Sequence, residues 1–159
     1  MAENVLVIGE IQGLGRNEAI AVINEISRIE RRTFPPSEAF TFDMDLWKKK
    51  PNTRIIYGKF LAGVVAYVVY VRVKGVALLH KLCVEQNSRE QGIGTQLMAY
   101  VEQRLHKEGC QSIQLWVDKD RTRARQLYTR RGFKELERVD NYYGNNRTGI
   151  KMVLDLDTS

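Results

Sequence analysis

Apolar positions along the chain repeat with two different periods. Residues 5–8, 55–57, 64–73 and 76–84 are short alternating or continuous apolar runs rich in valine, isoleucine and tyrosine, which predicts strands. Ala19, Ile20, Val22, Ile23, Ile26 and Ile29 instead form a broad helical stripe. That helix starts at Asn17, a good N-cap, runs to about Arg32, and is stopped by Pro35-Pro36-Ser37. A short helix is expected at residues 43–50, with Asp45 early and Lys48-Lys49-Lys50 in its last turn, as the helix dipole prefers. Ile93, Leu97, Val101 and Leu105 predict a helix over residues 92–107, stopped by Glu108-Gly109. Ala124, Leu127 and Tyr128 mark another over residues 121–131, stopped by Gly132. Strands are expected again at residues 112–117, 134–142 and 150–156. Turns are expected at residues 58–61, at Lys74-Gly75 and at Gly144-Asn145-Asn146. The order β α α β β β α β α β β puts hairpins before crossovers. It predicts an α/β protein with a mixed, mostly antiparallel sheet of about seven strands and four helices.

One junction in that order carries chemistry. Where the strand at residues 76–84 stops, the chain continues Glu85-Gln86-Asn87-Ser88-Arg89-Glu90-Gln91-Gly92-Ile93-Gly94-Thr95 and turns at once into a helix. A helix start exposes unpaired N–H groups under positive potential. Two glycines there let an anion approach the amides closely. Strand, glycine turn and helix therefore suggest a site for a phosphate or pyrophosphate.

Composition narrows the class without choosing the ligand. A chain of 159 residues with 43% apolar and 28% charged positions is expected to form one globular domain, residues 1–159. The longest apolar stretch, residues 60–71, is too short to span a membrane, and no basic-then-apolar leader opens the sequence. Two cysteines suit a reducing, cytoplasmic or nuclear setting. A net charge of +6 favours an anionic partner.

Three other patterns carry less. Gly9 followed by Gly13-Leu14-Gly15 looks like a dinucleotide loop, but Glu18 stands at the third glycine position and prolines follow the helix. His80/Cys83 and His106/Cys110 have metal-like spacings, yet residues three apart on a strand face opposite sides, and no metal is expected. Arg121, Arg123, Arg125, Arg130 and Arg131 wrap their helix without interleaved aromatics, so no specific nucleic-acid partner is expected.

Arg89-Glu90-Gln91-Gly92-Ile93-Gly94 with Leu97 resembles motif A of the GNAT superfamily of acyl-CoA-dependent N-acetyltransferases. Leu127-Tyr128-Thr129-Arg130-Arg131-Gly132-Phe133 resembles its second motif, and the two stand in the family's order. Asn141-Tyr142-Tyr143 and Met152 resemble the branch acting on protein Nα-termini and ribosomal proteins. The resemblance implies the GNAT fold, with a splay between the strands ending near Val84 and Val117, and acetyl-CoA as co-substrate. It implies a cofactor site at Leu82, Cys83, Val84, Arg89, Glu90, Gln91, Gly92, Ile93, Gly94, Thr95, Arg121, Arg125 and Tyr128. Within it, the Val84 backbone faces the thioester carbonyl and Tyr128 protonates the departing thiolate. Tyr142, Tyr143 and Trp116 are the expected substrate residues, and His80 the candidate base.

The sequence departs from the family twice. Arg121 stands where many members carry a cofactor-contacting asparagine. Trp116 stands where the peptide-acetylating branch often carries a glutamate base. An α-amine of pKa near 7.8 is about 14% neutral at pH 7, against about 0.04% for a lysine of pKa near 10.4, so it needs far less help from a base. The expected acceptor is therefore a peptide or protein N-terminus. A small-molecule or lysine acceptor, and a non-catalytic acetyl-CoA-binding regulator, are the alternatives. Transfer is expected to be direct, because Cys83 lies where the family uses only backbone. A homodimer is compatible with this reading.

Overall fold

A computed structural model of the chain describes residues 5–38 and 52–156. Its elements are β1 (Val7–Glu10), α1 (Arg16–Thr33), β2 (Thr53–Phe60), β3 (Gly63–Val73), β4 (Val76–Val84), α2 (Ile93–Lys107), β5 (Ser112–Asp118), α3 (Thr122–Arg130), β6 (Lys134–Gly144) and β7 (Arg147–Asp155). Short 3-10 turns at Ile11–Gly13 and Gln86–Ser88 lead towards α1 and α2. The seven strands form one sheet in the order β1-β2-β3-β4-β5-β7-β6. β4 and β5 pair in parallel, whereas β1–β2, β5–β7 and β6–β7 are antiparallel. This is the mixed sheet that the sequence pattern predicts. Three α-helices lie among the described residues, against four expected; the helix expected at residues 43–50 lies outside them.

Several boundaries differ from the expectation for local reasons. The first strand forms at Val7–Glu10, because its ladder with β2 runs from Val7↔Lys59 to Glu10↔Ile56. That ladder also carries β2 through Gly58 to Phe60, where a turn was expected. Gly58 serves close packing instead: a Cβ there would lie 3.0 Å from a Leu97 methyl. α1 is capped by Gly15, with no side-chain cap bond, so Asn17 is inside the first turn and is not the N-cap. The last hairpin is longer than expected, because β6 reaches Gly144 and β7 starts at Arg147.

The chain divides into two compact units. The first comprises Met1–Tyr70 and Lys81–Leu97. In it the apolar stripe of α1 (Ala19, Val22, Ile23, Ile26, Ile29) packs with Ile55, Val64, Tyr67, Val69 and Cys83. The second comprises Val71–His80 and Met98–Ser159. Its buried residues include Ala77, Leu79, Val101, Leu105, Ile113, Leu115, Val117, Tyr128, Phe133 and Ile150. In that unit the β4–β5 ladder runs from Val76↔Ser112 to Leu79↔Leu115. β4 continues beyond the last pair to Val84, and β5 to Asp118. No helix among the described residues is long and apolar enough to cross a membrane.

Candidate active site

The first unit supplies a backbone site. The Glu85 N–H donates to the Val65 carbonyl of β3 at 2.7 Å. Successive strand residues turn their backbone groups to opposite edges, so those of Val84 and Leu82 point away from β3. The Val84 carbonyl accepts Arg89 Nε at 3.0 Å on that free edge. Arg89, expected to meet a cofactor phosphate, thus ties the loop back to the strand end. Ser88, buried in the turn, donates its N–H to the Glu85 carbonyl at 2.9 Å. Glu90 (φ +66°) and Gly92 (φ +75°) then adopt left-handed backbone. The first N–H that bonds back into α2 is that of Gln96, to the Gly92 carbonyl at 3.1 Å. The amides of Ile93, Gly94 and Thr95 precede it and have no partner within the helix. A Cβ on Gly92 would meet nothing within 4 Å, so space beside the turn is open and its backbone angle is what requires glycine.

Two of the expected cofactor residues do not present side chains. Ile93 is buried in the core, which leaves its backbone N–H. Cys83 is also buried, and burial pushes its thiol pKa up even though Tyr67 and Thr33 favour the thiolate. A protonated, enclosed thiol is a poor nucleophile.

The second unit supplies side chains. Tyr128, on α3, is 6% exposed and tilts against Phe133, with ring centroids 5.4 Å apart. Burial pushes its pKa to about 12, with Arg121 pulling it down and Tyr143 raising it. At neutral pH it therefore holds its proton, which suits a general acid and not a general base. Arg125 donates Nη1 to the Lys119 carbonyl at 2.8 Å, closing the loop before α3. Arg121 is exposed at the α3 N-cap position. His80 is open to solvent, while neighbouring groups thin its hydration enough to lower its pKa.

Trp116 of β5 stacks on Tyr142 of β6, with centroids 4.2 Å apart and planes at 17°. Tyr143 meets Tyr142 edge-on at 4.8 Å, and the Arg147 guanidinium lies 5.3 Å over the Tyr143 ring. Burial also raises the Tyr143 pKa to about 12, Tyr142 and Asp118 adding to it. The hairpin carrying these rings is irregular: Asn141 is left-handed, its Oδ1 accepts the Asn146 N–H at 2.9 Å, and the β6–β7 register shifts between Val139 and Gly144. β5 also runs one residue past its predicted end, to Asp118, a carboxylate where none was expected in the strand. Its oxygens are taken by the Asp120 N–H at 2.9 Å and Arg147 Nε at 3.0 Å.

The structure thus gathers Leu82, Cys83, Val84 and residues 89–95 in the first unit, and His80, Trp116, Arg121, Arg125, Tyr128, Tyr142 and Tyr143 in the second. Sequence reasoning missed Gly149, where a Cβ would lie 2.7 Å from the Tyr142 ring; only its pairing opposite Val139 reveals why glycine is needed. It also missed Glu30 and Lys81. The only signal was a carboxylate within the isoleucine stripe of α1. No group of three or more metal-ligating side chains occurs among the described residues.

The first unit carries a glycine turn feeding a helix, and the second a parallel ladder that ends at Leu79. The acetyltransferase (GNAT) family matches residues 21–133, and the chain belongs to it. Yeast (Saccharomyces cerevisiae) N-alpha-acetyltransferase 30 is 30% identical over 86 residues, which cover 54% of this chain and 48% of that protein. The chain thus matches about half the length of that relative. Among solved structures, the ribosomal-protein-S18-alanine N-acetyltransferase of Escherichia coli superposes with a TM-score of 0.79 at 20% identity, over 98% of this chain and 96% of that one. An aminoglycoside 6′-N-acetyltransferase complexed with coenzyme A gives 0.78 at 19% identity, over 96% and 98%. The protein is thus a GNAT-family acetyltransferase by membership.

Proposed function

We propose that the acceptor is the α-amino group of a peptide or protein, acetylated directly, and that residues 1–159 act as one catalytic domain. The observation that carries this reading is the weakness of the available base. β5 offers Trp116 at mid-strand, its one carboxylate, Asp118, is engaged, and the candidate base is a solvent-exposed His80 with a lowered pKa. A weakly basic imidazole suits an amine that is already about 14% neutral at pH 7 and suits a lysine poorly. The names of the yeast relative and of the S18-alanine enzyme support the same acceptor class.

Acetyl-CoA supplies an activated thioester carbonyl. Leu82 and Val84 pair through backbone with the pantetheine arm, and the Val84 N–H holds the carbonyl oxygen as negative charge develops on it. The amides of residues 92–95 hold the pyrophosphate, with Arg121 adding charge. His80, directly or through a water, takes the amine proton as the N–C bond forms. Tyr128 gives its phenolic proton to the sulfur as the C–S bond breaks, and is reprotonated from solvent. Trp116, Tyr142 and Tyr143 form the aromatic wall against which the peptide lies.

The test compares peptides with a free N-terminus and no lysine against N-blocked peptides carrying one lysine. The neutral fractions alone predict kcat/KM about 350-fold higher for the free N-terminus. Equal values, or activity confined to the lysine peptides, would exclude an α-amine acceptor.

A further inference from the structure

The first unit contains a buried charge cluster for which the chemistry above has no use. Glu30 sits on the apolar face of α1 and is 2% exposed. Its Oε1 accepts the Tyr67 hydroxyl of β3, and its Oε2 accepts Lys81 Nζ of β4. Lys81 also donates to the Glu38 carbonyl at 3.1 Å, and its ammonium lies 3.6 Å from the centroid of the Phe34 ring. Two residues on, Cys83 faces the same side, with Sγ 4.0 Å from Thr33 Oγ1. That hydroxyl in turn donates to the Ile29 carbonyl at 2.7 Å.

These contacts share one target. Side chains alternate along a strand, so Lys81 and Cys83 anchor β4 to α1 while Leu82 and Val84 turn to the other face. The Glu85–Val65 bond fixes the β3 edge of the same stretch, and Arg89 fixes the Val84 carbonyl. The β4–β5 ladder has already ended at Leu79, so residues 81–84 rely on other anchors. Stability is a weak reason for such a pair. Apolar replacement of a buried ion pair often leaves a protein as stable or more so, and hydrophobic side chains of α1, β2 and β3 cluster on this face. An ion pair does what an apolar contact does not: it fixes distance and direction.

We infer that Glu30 and Lys81, braced by Tyr67, are positioning residues that set where the Val84 amide meets the thioester oxygen. This rests on the proposed role of Val84. An amide donor displaced by a fraction of an ångström loses mainly transition-state stabilisation, so the effect falls on kcat and leaves cofactor binding alone.

The test is the double variant Glu30→Leu/Lys81→Met, which removes both charges at similar volume, beside Lys81→Arg, which keeps the pair. Expected for the double variant are an unchanged far-UV spectrum, hydrogen exchange across residues 81–85 about tenfold faster, and kcat about tenfold lower with KM for acetyl-CoA within about twofold. Lys81→Arg should keep kcat within about threefold. If the double variant does not fold, Tyr67→Phe carries the test, with exchange and kcat each changed about threefold. Unchanged exchange in a folded variant overturns the clamp. Faster exchange with wild-type kcat overturns its catalytic role. A wild type that turns over no acetyl-CoA overturns the reading beneath it, while the exchange comparison still decides the clamp.

Discussion

Residues 81–95 and the β6–β7 hairpin with Trp116 offer a ligand different things. The first region offers backbone: two strand amides on a free edge, a left-handed glycine, and the opening amides of a long helix. The second offers side chains: Tyr142 and Tyr143 on β6, a strand exposed along its whole length, with Tyr142 touching both Tyr143 and Trp116 of β5. Backbone recognition depends on geometry that few sequences can adopt. Side-chain recognition tolerates change at each position, so it is where acceptor specificity can vary while the cofactor end stays constant.

If this division of labour is right, each end can be damaged without the other. The largest effect should come from the proton transfer itself. Tyr128→Phe removes the proton donor and should lower kcat by about 100-fold, with the dissociation constant for acetyl-CoA within about twofold. Because burial holds this phenol near pKa 12, protonated and competent below that value, wild-type activity should show no falling limb from Tyr128 below about pH 11. A variant with unimpaired kcat would mean that the sulfur leaves without this proton.

Next comes the cofactor end. Valine at position 92 would have to adopt φ +75°, which β-branched residues avoid at a cost of about 1–3 kcal/mol. Gly92→Val should therefore weaken acetyl-CoA binding by about 10- to 100-fold, read by calorimetry, and leave KM for the amine nearly unchanged. Loss of amine affinity with intact cofactor binding would reverse the assignment.

The smallest of these effects belongs to the acceptor end. A Cβ at position 149 would strike the Tyr142 ring and displace it from Trp116. Gly149→Ala should raise KM for a peptide by about tenfold, equivalent to about 1.4 kcal/mol, with acetyl-CoA binding unaffected. An unchanged peptide KM would remove the aromatic stack from the acceptor site.

The two regions also differ in how legible they were. The glycine turn announces itself because Arg89, Gly92 and Gly94 lie within six positions, between a strand and a helix whose periods are clear, and the left-handed backbone at position 92 calls for glycine. Element order among the described residues was equally legible, since the α1 stripe and the runs of β3 and β4 carry unmixed periods. Strand ends were not, because pairing with a distant partner sets them: Gly58 reads as a turn alone and as a paired strand residue opposite Ile8. The aromatic wall was legible only as residue types. What makes it a wall is the contact of Trp116 with Tyr142 and the bare backbone of Gly149, three points on three strands. Glu30 and Lys81 lie 51 positions apart, and nothing in the sequence of either predicts that one carboxylate holds the other's ammonium in the core.

The acceptor class remains the central claim, and competition within one molecule tests it most directly. A peptide bearing both a free N-terminus and one internal lysine is acetylated to low conversion at pH 7, and fragment masses locate the acetyl group. The account predicts modification of the α-amine in more than about nine molecules of ten, in line with the neutral fractions of the two amines. Acetyl groups found mainly on the lysine would contradict it.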